Sequence, residues 1–557
     1  MKNFLNLIPL FKDLRNYSKS SFSKDLVAGL TVGVMLVPQG MAYAYLAGMP
    51  PIYGLYAGLI PLITYGVFGS SRHLSVGPVA VSALLVFAGI KTMAEPLTNE
   101  FIELAVLAAF LIGILQISLS ALRLGILVNF ISHPVISGFT SAAAIIVAVS
   151  QLKDILGIDV PRLGNPLNTI WYILENMSSF NGYTVSLSLL ALASLILIKR
   201  FNRRIPGSLI IVVVATALSW RFDFDSMGIA TIGTIPEGLP KLSIPLFHKE
   251  TVVALLPTVF TVTAISLVES LGIAKTYEGK SKKYKVLNNQ ELFALGAANV
   301  FGSFSQSMPT SGSFSRSAVN FSSNAKTGIS SLVSALIVLF SLLFLTSLFR
   351  HLPIAILAAI ILIAIKNLFD LHEAIRLWKI HRRDFYLLLI TFLGTLLLGI
   401  ELGVLLGFSL SIIMVLYKSS KPNITELGLI KGTNYFRSSD RYEGLVKVES
   451  HTLIRFDDQL YYGNAYYFKD KFMEFAERNK SKYVVLDASN IHDIDSTGLT
   501  VLQDLILFLE QSNREFKIAN MVEQVEDLVE NSGILFTNQN TVETFGSLKE
   551  AVASMHS

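Results

Sequence analysis

Nineteen consecutive residues, SLVSALIVLFSLLFLTSLF from 331 to 349, carry no charge, and no other feature narrows the fold as much. A helix apolar on every side has to be surrounded by protein or by lipid. About 20 such residues, each rising 1.5 Å, cross the hydrocarbon of a bilayer. The runs LAVLAAFLIGILQISLSAL (104 to 122), TVSLSLLALASLILI (184 to 198) and FYLLLITFLGTLLLGI (385 to 400) repeat the pattern. With 52% hydrophobic and 15% charged residues among 557, and a mean hydropathy of +0.55, most of the chain belongs in lipid. About fourteen segments are expected before residue 419, several shortened or broken by glycine and proline, which makes this a polytopic α-helical membrane protein.

The first apolar run begins near Leu26, behind a polar leader holding Lys12, Arg15, Lys19 and Lys24, and many further spans follow. A cleaved signal peptide is not expected. With no cysteine, the chain has no disulfide, thiolate ligand or catalytic thiol. Its formal charge of +5 gathers in loops beside the apolar runs, at Arg72, Arg123, KRFNRR (199 to 204), KSKKYK (280 to 285), Lys326 and KIHRR (379 to 383). That distribution suits cytoplasmic flanks rather than nucleic-acid binding, and it places both termini in the cytoplasm. The segment 367 to 383 mixes apolar and charged residues at helical spacing and is expected to lie on the membrane surface.

After Lys418 the composition turns polar. The expected boundaries are a leader over 1–24, a membrane domain over 25–418, a linker over 419–442 and a small cytoplasmic α/β domain over 443–557. In the last, KYVVLDAS (482 to 489) and EFKIANM (515 to 521) read as strands. STGLTVLQDLILFLEQS (496 to 512) reads as a helix with an N-cap serine, and VEQVEDLVENSG as a helix closed by glycine.

The membrane region matches itself. LVPQGMAYAYLAG (36 to 48) lies against LVESLGIAKTYEG (267 to 279), and GPVAVSA (77 to 83) against GSFSRSA (312 to 318), in the same order and at nearly equal separation. Repeats of seven spans each, over about 25–222 and 250–418, then enter the membrane with opposite orientation. SVGPVAVSALL and TSGSFSRSAVN are too short to cross as continuous helices. Each is expected to be an extended entry followed by a half-helix, shielded by protein or lining a cavity. Two half-helix N-termini facing each other offer free N–H groups and partial positive charge to an anion, supplemented by hydroxyls of Ser313 and Ser315. Arg316 either raises the potential there or binds carbonyls left open by the broken helix. Glu269 either carries a proton or forms an ion pair, with Arg316 as one partner. Gln39 and Tyr43, four apart, share a helix face and either line the cavity or bond neighbouring helices. His73 reads as a loop or interface residue, with no metal-ligand spacing around it.

The segments VPQGMAYAYLAGMPPIYGLYAGLIP, SSRHLSVGPVAV, VES at 268 to 270 and PTSGSFSRSAVNFSSNAKT resemble the signatures of the SulP family, the sulfate permeases related to animal prestin and pendrin. At the C-terminal end, VVLDASNIHDIDSTGLTVL resembles a STAS domain. The resemblance implies fourteen segments in two inverted repeats, divided into a core and a gate, with two copies forming a homodimer. It implies secondary active transport of a small anion held at Val79, Ala80, Phe314 and Ser315, with Gln39, Tyr43 and Arg316 nearby and Glu269 as the coupling residue. Proton-coupled sulfate uptake across a cytoplasmic (inner) membrane is the leading expectation. Sodium- or proton-coupled transport of bicarbonate or a dicarboxylate is the alternative, and a membrane-anchored STAS sensor is the alternative from another class. No cofactor, metal or enzymatic motif is expected. A cytoplasmic protein partner for the STAS domain and a phosphate on Ser496 or Thr497 are further expectations, the two hydroxyls also being explained by helix capping.

Overall fold

The computed structural model describes residues 8–15, 17–125, 132–160, 166–201, 206–233, 238–282, 284–366, 369–448, 450–479, 481–536 and 541–554. The chain divides into two compact units, Met1–Ser411 and Ile412–Ser557.

In the first half of the membrane region, helix α1 (Lys19–Leu46) is followed by a short helix Ile52–Ala57 and α2 (Ile60–Phe68). Strand β1 (Ser75–Gly77) then leads into α3 (Ala80–Ile90), followed by α4 (Asn99–Ala121), α5 (His133–Leu156), α6 (Gly182–Phe201) and α7 (Gly207–Phe222). The second half repeats the order. Helices α8 (Lys249–Ser281) and α9 (Asn288–Phe304) precede strand β2 (Ser311–Ser313) and α10 (Phe314–Ser322), and α11 (Ile329–Phe344), α12 (Ile354–Ile365), α13 (Leu371–Ile380), α14 (Arg382–Leu398) and α15 (Ile400–Ser420) complete it. Five of the described helices are long and apolar enough to cross a membrane by length and composition: α1, α4, α5, α8 and the Leu402–Ser420 part of α15.

Local chemistry sets the ends. The Ser18 hydroxyl accepts from the Ser21 N–H at 3.1 Å to start α1, and the Thr98 hydroxyl accepts from the Phe101 N–H at 3.3 Å to start α4. Gly157 closes α5 at φ +66°, a left-handed conformation that glycine adopts without steric cost.

The strands β1 and β2 are antiparallel, pairing Ser75 with Ser313, Val76 with Gly312 and Gly77 with Ser311. The two broken segments therefore pass each other in opposite directions, as inverted halves require. The pairing centres on Val76 opposite Gly312, one residue away from the Gly77 to Gly312 match read in the sequence. Around this crossing, α4 packs on α9, α1 on α11, α2 on both α9 and α11, α3 on α8, and α10 on α1. A separate group packs together: α5 with α14 and α12, and α6 with α12 and α7. These are the core and gate groups, joined where α7 and α12 meet α1.

Helix α13 is amphipathic. Leu371, Ile375, Trp378 and Ile380 are exposed while Leu377 and Glu373 are buried, and Arg376 forks onto Glu373 through two bonds of 2.7 Å. Residues 367 and 368 of the expected surface helix lie outside the described residues.

The second unit carries a six-stranded sheet in the order β4-β3-β5-β6-β7-β8. Its strands are β3 (Ile424–Leu429), β4 (Phe436–Ser438), β5 (His451–Phe456), β6 (Tyr483–Asp487), β7 (Glu515–Ala519) and β8 (Glu543–Phe545). Helices α16 (Ala465–Arg478), α17 (Ser496–Gln511), α18 (Glu523–Ser532) and α19 (Leu548–Ala553) alternate with them. Strands β5 to β8 run parallel, and Phe456, Phe468, Phe472, Leu505, Leu509 and Ile518 form the apolar core. Two sequence expectations need correction. The stretch 419–442, read as a linker, holds β3 and β4, and β3 pairs antiparallel with β5 inside the sheet. The N-cap of α17 is Asp495, not Ser496: its extended backbone (φ −95°, ψ 178°) lets Oδ1 accept from the Gly498 N–H at 2.8 Å.

Candidate functional site

The site is built where β1 and β2 cross. At the end of β1, Val79 is the N-cap of α3 (φ −137°, ψ 152°) and Ala80 is its first residue; both are buried. At the end of β2, Ser313 is the N-cap of α10, its hydroxyl accepting from the Arg316 N–H at 3.4 Å. Phe314 and Ser315 are the first two residues of α10, and both are exposed, Phe314 by 57%. The Ser313 and Ser315 hydroxyls lie 3.3 Å apart. The first N–H groups of each helix have no partner within the helix, so each end presents donors and the positive end of its dipole. Helices α3 and α10 are packed respectively on α8 and α1, elements from the opposite repeat.

Arg316 is fully buried and reaches across the crossing. Its Nη1 donates to the Pro78 carbonyl at 3.1 Å and its Nε to the Ser75 hydroxyl at 3.4 Å, while Nη2 has no partner. Of the two sequence readings, the bond to a carbonyl left open by the broken segment is seen at Pro78, where the guanidinium ties the two broken segments to each other. Gly77 makes room for it, because a Cβ there would stand 3.2 Å from Nη2.

Glu269 of α8 and Arg316 attract one another, and Tyr43 of α1 lies in the field of both. Among the described residues no ion pair within 4.0 Å joins Glu269 to Arg316, and Glu269 Oε2 is buried without a hydrogen-bond partner. Gln39 and Tyr43 are both buried in α1, and Gln39 Oε1 also lacks a partner. Three polar groups that sequence reasoning singled out thus carry unsatisfied buried atoms. Buried polar atoms cost free energy unless bonded.

His73 takes no part in the seat. Its ring lies against Tyr277, Tyr284 and Phe321, with Nδ1 3.0 Å from the Tyr284 hydroxyl and Nε2 3.1 Å from the Ala325 carbonyl. Among the described residues no group of three His, Cys, Asp or Glu side chains could hold a metal ion. In the second unit, Asp495 bonds Gly498 N–H through Oδ1 and Tyr462 N–H through Oδ2. The Ser496 hydroxyl is free of capping duty, and Ser496 is exposed at the first position of α17.

Sequence reasoning missed the frame that holds β2. Asn299 of α9 uses Oδ1 to accept from the Thr310 N–H at 2.8 Å and Nδ2 to donate to the Thr310 carbonyl at 3.2 Å and to Gln116 Oε1 of α4 at 3.1 Å. Ser270 of α8 accepts from the Gly312 N–H at 2.9 Å. Small polar residues inside apolar helices gave the only signal, and that signal recurs across the whole membrane region.

The model of the Sulfate permease family matches residues 22–391, and that of the STAS domain matches residues 444–551. Among curated proteins, "Sulfate transporter 4.1, chloroplastic" of Arabidopsis thaliana is 39% identical over 551 residues, covering 95% of this chain and 80% of that protein. "High affinity sulfate transporter 2" of Stylosanthes hamata is 30% identical, covering 97% of this chain and 86% of its own length. Among solved structures, murine solute carrier 26 family member A9, an anion transporter captured in the inward-facing state, superposes with a TM-score of 0.91 at 26% identity. That match covers 99% of this chain and 94% of the murine chain. The transmembrane domain of a cyanobacterial bicarbonate transporter shares the fold, with a TM-score of 0.61 at 23% identity over 71% of this chain and 98% of that one. With a multi-pass helical unit crossed at its centre by two inverted half-helices, and a family match over most of the membrane region, the chain belongs to the sulfate permease family and ends in a STAS domain.

Proposed function

We propose that the protein carries sulfate through the membrane by secondary active transport, with the anion seated between the N-termini of α3 and α10. One observation carries this reading: Gln39 Oε1, Glu269 Oε2 and Arg316 Nη2 are buried without partners beside two half-helix N-termini that meet at an antiparallel crossing. A desolvated oxyanion is held well by backbone N–H groups and one arginine, and the side-chain acceptors discriminate between protonated and unprotonated guests. The substrate follows from the relatives, whose names are those of sulfate transporters.

In this reading Glu269 is the coupling group. Its carboxylate is attracted to Arg316, so arrival of a dianion and of a proton are linked: the anion draws on the cation that otherwise stabilises the carboxylate. On the α10 side the exposed Phe314 ring lies 6.3 Å from that of Tyr277, one turn from Lys280 at the basic end of α8. We place the protein in a cytoplasmic (inner) membrane as a homodimer with cytoplasmic termini, and its STAS domain, with Ser496 exposed, as the face for a cytoplasmic partner. Its chemistry is translocation, without a covalent step.

Purified protein in liposomes tests the reading, with sulfate, bicarbonate, oxalate and chloride compared under proton and sodium gradients imposed separately. Sulfate accumulation driven by an inward proton gradient is expected. Accumulation of another anion in preference to sulfate, or driven by sodium alone, contradicts the substrate or the coupling ion respectively.

A further inference from the structure

The proposed anion seat and coupling carboxylate sit on different elements, linked by the attraction between Glu269 and Arg316 and by hydrogen bonds from the neighbour of Glu269 to β2. Ser270, fully buried, follows Glu269 directly in α8, and its hydroxyl accepts from the Gly312 N–H of β2 at 2.9 Å. One residue on, Ser313 caps the helix whose first turn is the proposed seat. The approach leaves no slack: a Cβ on Gly312 would stand 3.0 Å from Ser270 Oγ and 3.1 Å from its Cα. Ser270 meets β2 a second time, through Ser311, while the residue before that is held from another helix. Ser311 Oγ lies 3.1 Å from Ser270 Oγ and 3.4 Å from the Ser266 carbonyl, and Thr310 is held by Asn299.

We propose that Ser270 is a positioning residue through which the charge on Glu269 acts on the anion seat, an inference that rests on the transport reading above. When Glu269 gains a proton its attraction to Arg316 is lost, and the local set of α8 changes. The Ser270 to Gly312 bond carries that change into β2 and so into the aim of the α10 N-terminal donors. The groups that bear on Glu269 are few. Arg316 of α10 and Tyr43 of α1 share its field, α3 and β2 bring no ionisable side chain, and those of α4 and α9 (Glu100, Glu103 and Glu291) lie in their N-terminal turns. Glu291 is already engaged by the Tyr65 hydroxyl at 2.6 Å and by the Ser70 and Ser71 N–H groups.

Two measurements on the full-length protein test this. In the first, hydrogen exchange is followed over residues 309–316 without anion. Glu269→Gln should change the exchange rate of this segment at least about twofold in the wild-type background, and leave it unchanged when Ser270→Ala is already present. In the second, sulfate affinity is measured at about pH 5.5 and about pH 7.5. Ser270→Ala, which loses the bonds to Gly312 N–H and Ser311 Oγ, should weaken binding roughly three- to tenfold and bring the ratio of the two affinities toward one. Ser311→Ala, which removes the other β2 partner of Ser270 but spares the Gly312 bond, should keep the wild-type ratio whatever its absolute affinity. Ser270→Cys, a weaker acceptor of similar shape in a chain without cysteine, should give an intermediate ratio, and it serves if the alanine variant is not recovered folded.

Equal effects of Ser270→Ala and Ser311→Ala would overturn the proposal. So would a Glu269→Gln effect on exchange that survives in the Ser270→Ala background, or that is absent from wild type. A wild type whose sulfate affinity ignores pH contradicts the coupling reading instead, and the exchange measurement still decides for or against Ser270.

Discussion

At the scale of single residues, the proposed seat assigns the anion to backbone N–H groups more than to side chains, and Phe314 separates the two. It is the first residue of α10 and follows Ser313, whose extended backbone (φ −104°, ψ 120°) suits the residue before a proline. Proline is well tolerated at that helix position, so Phe314→Pro should fold while deleting one donor. Phe314→Ala loses the same ring but keeps the donor. Sulfate titration of both variants should give near wild-type affinity for alanine and at least about a tenfold loss for proline. Equal affinities would mean that the N–H is not a ligand. The two ionisable residues of the site were legible because charge inside an apolar run costs too much to be idle. Ser270 and Asn299 were not, since a small polar residue in an apolar helix acquires meaning only from the neighbour it meets. A second residue prediction concerns His451 in the STAS domain. Its ring is stacked 4.8 Å from that of Tyr483 with Nδ1 2.9 Å from the Ser450 hydroxyl, and burial, then the nearby Lys517, hold its pKa below the ordinary histidine value. The fold therefore favours the neutral ring, and its contribution is complete above about pH 6.5 and lost as pH falls through that value. The melting temperature of the STAS unit should drop between about pH 7.5 and about pH 5.5, and less steeply in His451→Phe. An unchanged slope in the variant would dismiss His451 as the cause.

Among elements, the helices were legible and the strands at the centre were not. Apolar length identifies α4 or α8, whereas β1 and β2 have three residues each, too few for an alternating pattern. Their existence was inferred from broken helices at matching places in the two halves, and their pairing from nothing in the sequence. The stretch before the STAS match was read as a linker for a related reason. NITELGL lies in a polar stretch and alternates weakly, yet Ile424, Thr425 and Leu427 are buried once β5 covers them. Close helix crossings give the prediction at this scale. Gly113 of α4 and Gly296 of α9 face each other so closely that a Cβ on either would lie 2.7 to 2.8 Å from the carbonyl oxygen of the other. Backbone cannot yield as a flexible side chain can, so Gly296→Val should force α4 and α9 apart and destabilise the core group by about 1 to 3 kcal/mol or more. Thermal unfolding in detergent should reveal this, while Gly279→Ala, in open space at the end of α8, should leave stability unchanged. Equal stability of the two variants would mean that the α4 and α9 crossing is not the tight joint described.

For the whole molecule, function follows from inversion. Because the halves enter the membrane in opposite directions, two half-helices can aim their N-termini at one point, and the core group carrying that point can move against a gate group built from α5, α6, α7, α12 and α14. Fold class and the location of the seat could be argued from sequence through repeat spacing. Which atoms of Arg316, Glu269 and Gln39 are left without partners is decided by packing that no stretch of sequence displays. Among all consequences of the account, the separation of binding from coupling at Glu269 is the central one. The amide of Glu269→Gln imitates the protonated carboxyl and cannot titrate, so the variant should still bind sulfate and exchange it across the membrane. Wild type and Glu269→Gln are therefore compared in the same liposomes for sulfate counterflow and for uptake driven by an inward proton gradient. The account predicts that the variant retains counterflow and loses proton-driven accumulation; accumulation at the wild-type level in the variant would contradict it.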